Sequence, residues 1–221
     1  MTTKPLALHR TTVGKKAIMA ATGVILIGFV LGHMLGNLQV FSGPEKLNAY
    51  AAFLQGLGGA LWVVRLGLLT ALILHAWAAI SLWLQNNAAR PERYHVKQDI
   101  ATSYAAKTMK YGGVVVLLFI VYHLLHLTGH VVGPQTGIAE GDVYARVVLG
   151  FQDPMVTGIY VVANLALGMH LFHGVWSFMH TLGLSHVKYN KLRGFIAIGV
   201  AGAITLGNVI MPVAILAGLI K

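Results

Sequence analysis

Five stretches of this chain are each long and apolar enough to cross a lipid bilayer, from about 18 to 40, 57 to 84, 111 to 132, 154 to 182 and 195 to 220. A span needs roughly 20 mainly apolar residues, because a helix rises ~1.5 Å per residue through a ~30 Å hydrocarbon core. No stretch alternates in polarity with a period of two, so barrel strands are excluded. The expected fold is all-α, a single membrane domain over 1–221 built as a bundle of five transmembrane helices. The first stretch is too long for a signal-peptide core, and no small-residue cleavage pattern follows it, so it is read as a permanent span.

Composition excludes the alternatives. Only 10% of residues are charged and 57% are hydrophobic, whereas soluble domains carry about 25% charged residues. A water-soluble globule could not be clothed with so few. The absence of cysteine removes thiolate iron–sulfur ligation, c-type haem attachment, cysteine zinc sites and thiol catalysis.

A formal charge of +10 would point a soluble protein toward nucleic acid. In a membrane protein the placement of the charge matters more. Lys4, Arg10, Lys15 and Lys16 precede the first span. Arg90, Arg93, Lys97, Lys107 and Lys110 lie between the second and third, and Lys188, Lys191 and Arg193 between the fourth and fifth. These segments hold 12 of the 16 basic residues. The other side has Lys46, Arg146 and Lys221, with Glu45, Glu140, Asp142 and Asp153. The positive-inside rule puts the N-terminus in the cytoplasm and the C-terminus outside. The expected setting is the cytoplasmic (inner) membrane, with lipid and not nucleic acid as the partner of the basic set.

Histidine supplies the chemistry. His33 lies in the first span, His75 in the second, His123 and His126 in the third, and His170 and His173 in the fourth. His130 and His180 are nearer span ends, and His9, His95 and His186 fall in loops. Ionisable groups are costly in hydrocarbon and are functional candidates there. Measured from the outer ends, His33 and His123 are about seven and nine residues deep, and His75 and His170 about sixteen. That makes two pairs at two levels, ~10–13 Å apart along a helix. Paired imidazoles from facing helices are how a bundle holds a six-coordinate haem. Gly28, Gly32 and Gly36 flank His33 at helical spacing, suited either to a flat macrocycle or to close helix packing. One turn separates His126 from His123 and His173 from His170, and spacing alone does not choose within either pair.

At these residues the chain resembles the five-helix, di-haem cytochrome b membrane anchor of succinate:quinone oxidoreductases and fumarate reductases, in particular the b558-type subunit. The stretch GKKAIMAATGVILIGFVLGHMLGN resembles the family's first helix, with ATG ten residues before the His. LWVVRLGLLTALILHAWAAISLW, GGVVVLLFIVYHLLHLTGH and LGMHLFHGVWSFMHTLGLSH resemble the second, third and fourth. The resemblance implies haem ligands at His33, His75, His123 and His170. Gly113, ten residues earlier, selects His123, and Gly174, four residues later, selects His170. It pairs the first helix with the third and the second with the fourth. It also implies two haems b, quinone as substrate, and flavoprotein and iron–sulfur subunits on the cytoplasmic face. The haem on His75 and His170 would be proximal to those subunits and that on His33 and His123 distal. The dicarboxylate site would lie on a partner subunit. Some fumarate reductases carry a Glu where this chain has Gly168, which speaks against an acidic proton pathway of that type.

Arg65, toward the outer end of the second span, suits a propionate of the distal haem; the alternative is snorkelling to headgroups. His126 and His173 suit a propionate or the surroundings of a ligand. Trp62, Trp83 and Trp176 suit interfacial anchoring. Two other functions fit the same residues: a di-haem anchor of another quinone-linked dehydrogenase, and a haem-free transporter with a histidine proton relay.

Overall fold

The computed structural model describes residues 7–89, 104–134 and 138–221. Lys4, Arg90, Arg93, Lys97 and His95 lie outside the described residues. Seven α-helices follow one another there: α1 (Thr12–Asn37), α2 (Pro44–Gly56), α3 (Gly59–Ala88), α4 (Tyr104–Leu127), α5 (Val143–Gln152), α6 (Pro154–Thr181) and α7 (Asn190–Leu216). No strand occurs among the described residues. Five helices are long and apolar enough to cross a membrane, so the chain is a multi-pass membrane protein.

The helix ends follow capping chemistry more closely than hydropathy. α1 starts at Thr12, earlier than the apolar run, because the Thr11 hydroxyl accepts from Gly14 N at 3.0 Å. Asp153 caps α6, accepting from Met155 N at 2.7 Å, with Pro154 in the first turn. α6 and α7 both stop at a glycine of positive φ, Gly183 and Gly218. There Leu184 N donates to Met179 O and Leu219 N to Ala214 O, closing Schellman motifs. The third span runs Tyr104–Leu127, displaced toward the N-terminus from the expected 111–132. Lys107 and Lys110 are inside the helix, and the chain turns away after Leu127, with His130 at φ 55.

The long helices run alternately up and down. α1 packs on α3, α4 on α6, and α7 on α6, with α1 also touching α6 and α7. Neither α1 and α4 nor α3 and α6 pack extensively together. Two helix pairs therefore face each other with their histidine-bearing sides separated.

The short helices α2 and α5, between spans, were not foreseen from hydropathy. They close one end of the bundle around an apolar cluster of Val40, Leu47, Val147, Phe151, Tyr160 and Ile215. Asn48 ties them together: its amide donates to Asp142 Oδ1 at 3.0 Å, and its carbonyl accepts from Tyr144 N at 2.9 Å. Hydrogen bonds from Ala145 N and from Asn48 hold the Asp142 carboxyl below its ordinary pKa. At the opposite end, Arg193 is only 3% exposed. It donates to His180 Nε2 at 2.9 Å, to Leu184 O at 2.8 Å and to Asn190 Oδ1, and its guanidinium lies 5.0 Å from the Trp176 ring centroid. Arg193 and Trp176 thus join α6 to α7 and are not free surface groups.

Phe151 is fully buried in the end cluster. Phe151→Ala should cost about 3–5 kcal/mol, read as a lowered unfolding temperature in detergent.

Candidate functional site

Four histidines from four helices meet as two pairs. The ring centroids of His33 (α1) and His123 (α4) are 5.7 Å apart, and those of His75 (α3) and His170 (α6) 6.1 Å. Each pair bridges two helices that do not pack extensively on each other. All four rings are partly buried.

The His75–His170 pair lies against glycines of the neighbouring helices. A Cβ on Gly23 of α1 would stand 3.4 Å from His75 Cε1, and one on Gly113 of α4 would stand 3.9 Å from His170 Cε1. Each histidine thus rests on the backbone of the helix its own helix packs against. His33 is ten residues beyond Gly23 and His123 ten beyond Gly113, so the two levels are about 15 Å apart at ~1.5 Å per residue. That is of the same order as the ~10–13 Å expected from the ends of the apolar runs.

Hydrogen bonds assign the ring nitrogens. His75 Nδ1 is 3.1 Å from the Met19 carbonyl, which can only accept, so Nδ1 donates and Nε2 keeps its lone pair. The Thr22 hydroxyl lies 3.2 Å from the same Nδ1 while donating to Ile18 O at 2.7 Å. His170 Nδ1 is buried with no hydrogen-bond partner among the described residues. His33 Nε2 accepts from the Asn37 amide at 3.1 Å, and the His33 ring stacks on Phe29 at 5.4 Å. His123 Nδ1 is 3.2 Å from the Tyr160 hydroxyl.

The neighbouring histidines are differently placed. His126 is fully buried, with Nδ1 3.0 Å from the same Tyr160 hydroxyl. It sits in a slot made by two glycines: a Cβ on Gly133 or Gly150 would stand 2.7 Å or 2.9 Å from its ring. His173 is one turn beyond His170 and half-buried.

The glycines beside His33 divide. A Cβ on Gly28 or Gly32 would meet no atom within 4 Å, whereas Gly36 packs against the Tyr50 ring. Helix packing accounts for Gly36 and for neither of the others. Gly168 faces Thr205 of α7, and a side chain there would collide with the Thr205 hydroxyl. Arg65 is exposed, with its guanidinium 5.2 Å from the centroid of the Trp62 ring. Both Trp62 and Trp83 are exposed, as anchors would be.

No group of three or more His, Asp or Glu side chains gathers to hold a metal ion among the described residues. Each pair therefore offers two imidazoles and no further protein ligand. A polar cavity of about 340 Å³, lined by Gln55, His130, Glu140 and Arg146, lies at the α2–α5 end, and neither pair lines it. Sequence reasoning passed over Tyr160, Gly133 and Gly150. Only the proximity of distant segments to His126 makes them functional candidates.

The chain combines five helices long enough to span a membrane with two imidazole pairs. It is similar to a known cytochrome b. The succinate dehydrogenase cytochrome b558 subunit of Bacillus subtilis (strain 168) is 25% identical to it over 167 residues, covering 74% of this chain and 76% of that one. No family model matches the chain, and no solved structure matches it.

The slot around His126 can be tested directly. Gly150→Ala should destabilise the protein by about 1–3 kcal/mol through overpacking. In a His126→Ala background the same change should cost clearly less, a coupling visible in a double-mutant cycle of unfolding temperatures.

Proposed function

We propose that this chain is the membrane-anchor cytochrome b subunit of a succinate:quinone oxidoreductase or fumarate reductase, carrying electrons between an iron–sulfur partner and membrane quinone through two haems b. The observation that carries the reading is the double juxtaposition of imidazoles across helices that do not otherwise pack. Similarity to a cytochrome b558 subunit over 74% of the chain supports it.

The residues suit the cofactor. With metal–imidazole bonds of about 2.0–2.1 Å and ring centroids about 1.1 Å further out, two rings on one ion stand ~6 Å apart. The pairs stand at 5.7 Å and 6.1 Å. Two ligands per pair are what a haem requires from the protein, since the macrocycle provides the other iron ligands.

His33 and His123 would hold one haem, and His75 and His170 the other. His75 is already in the tautomer a ligand needs, its Nδ1 anchored on Met19. His170, without a hydrogen-bond partner at Nδ1, is not drawn toward another group. At His33, ligation through Nε2 would exchange the Asn37 hydrogen bond for the metal bond. His126 is held in its glycine slot and supports His123 without competing with it. Bare backbone at Gly28 and Gly32 leaves room for a flat ring beside His33. A bound haem would supply one-electron chemistry at its iron, tuned by the imidazoles that hold it.

Arg65 precedes His75 by ten residues on a helix antiparallel to α1, about level with His33, and would pair with an anionic propionate of the haem held there. The basic segments would face the cytoplasm and meet the flavoprotein and iron–sulfur subunits, making the His75–His170 pair the proximal one. The dicarboxylate reaction would take place on those subunits.

The isolated complex should show a Soret band and reducible b-type alpha bands, with two haems per chain. His33→Ala or His123→Ala should remove one haem, and His75→Ala or His170→Ala the other. A protein without haem bands overturns the reading in favour of a histidine relay. Haem-loaded protein lacking succinate-dependent quinone reduction points to another dehydrogenase. Loss of a haem in His173→Ala but not in His170→Ala would reassign that ligand. For orientation, alkaline phosphatase fused after Lys221 should be active and fused after Lys188 inactive.

A further inference from the structure

The Tyr160 hydroxyl lies within hydrogen-bonding distance of two imidazoles at once, His123 Nδ1 at 3.2 Å and His126 Nδ1 at 3.0 Å. The three residues come from two helices, with both histidines on α4 and the tyrosine on α6. Tyr160 is 5% exposed and packs against three aromatic rings, Phe151 at 4.7 Å, Phe119 at 5.0 Å and Tyr122 at 6.0 Å between centroids. His126 is equally fixed. Its slot admits the imidazole only because Gly133 and Gly150 have no side chains. Neither Tyr160 nor His126 can swing away cheaply in a close-packed interior.

We propose that Tyr160 is a positioning residue that ties the haem ligand His123 to the buried His126 and tunes the haem held by His33 and His123. The proposal rests on the haem reading given above.

Counting protons gives the chain a direction. A phenol has one proton to donate and an oxygen that accepts, and a neutral imidazole carries one N–H. If Tyr160 donated to His123 Nδ1, the His123 proton would sit on Nε2, leaving no lone pair for a metal. Ligation through Nε2 therefore requires that His123 Nδ1–H donate to the Tyr160 oxygen. The Tyr160 proton then has His126 Nδ1 as its acceptor, and the His126 proton sits on Nε2. The order is His123 to Tyr160 to His126, and each link polarises the next.

A ligand histidine that donates its second N–H to a fixed oxygen is a more basic ligand with a fixed ring orientation. Greater ligand basicity favours the oxidised metal and lowers the potential of that site. The second pair is held differently, His75 donating to a backbone carbonyl and His170 Nδ1 having no hydrogen-bond partner among the described residues. Tyr160 thus acts on one haem and not the other.

The test is a potentiometric titration of the b-type alpha bands in the purified complex, wild type against Tyr160→Phe. Both haems should be retained, with one midpoint moved upward and the other unchanged. The His75→Ala background, holding only the His33–His123 haem, identifies which one moved. His126→Ala, which leaves the Tyr160 proton without its acceptor, should move the same midpoint in the same direction by less. Packing loss alone lowers the unfolding temperature without singling out one potential. Unchanged potentials in a haem-replete Tyr160→Phe complex, or equal shifts of both, overturn the proposal. If Tyr160→Phe fails to retain the haem, His126→Ala is read in its place, and the absence of a shift there overturns it equally. Wild-type complex without haem would instead refute the reading on which the proposal stands.

Discussion

Imidazole in a hydrocarbon setting must be given partners, and the helices of this protein are arranged around that requirement. α1 packs on α3 and α4 on α6, yet the histidine-bearing helices α1 and α4, and α3 and α6, stand apart with rings between them. Ordinary side-chain interdigitation would close such gaps. Here the gaps persist because rings face one another across them and because the closest approaches are made elsewhere, through glycine. Gly36 receives Tyr50, Gly168 receives Thr205 and Gly207 receives Met34.

Rigidity comes from the two ends of the bundle. At one end α2 and α5 enclose Phe151, Tyr160 and Ile215, and Asn48 and Asp142 join the two short helices by directed hydrogen bonds. At the other, Arg193 links His180, Leu184 and Asn190 and stacks on Trp176. Between the ends, Met34, Leu171, Ala201 and Ile204 pack α1, α6 and α7 together, whereas α3 and α4 have few buried residues.

Much of the fold was legible in the sequence. Long apolar runs report spans because hydrocarbon leaves no alternative to a helix for such segments. The four histidines stood out because an ionisable group in a span needs a reason. Even the glycine ten residues before His33 and before His123 was visible, though its neighbours were not. Each lies in ordinary van der Waals contact with a histidine on another helix. The short helices were missed because α2 and α5 are too short for a span and their apolar residues meet partners distant in sequence. Hydropathy also misjudged the third span, whose first turns carry Lys107 and Lys110. A long side chain can keep its charge near the surface while its backbone remains helical.

Local patterning therefore determined the helical class, the five spans and the histidines worth following, since hydrocarbon length and ionisable cost are properties of short segments. Tertiary structure decided which helices touch, that His126 is enclosed by Gly133 and Gly150, and that Tyr160 joins it to His123. Those outcomes depend on how closely segments distant in the chain approach one another. Steric fit and hydrogen-bond direction are defined only once both partners are in place.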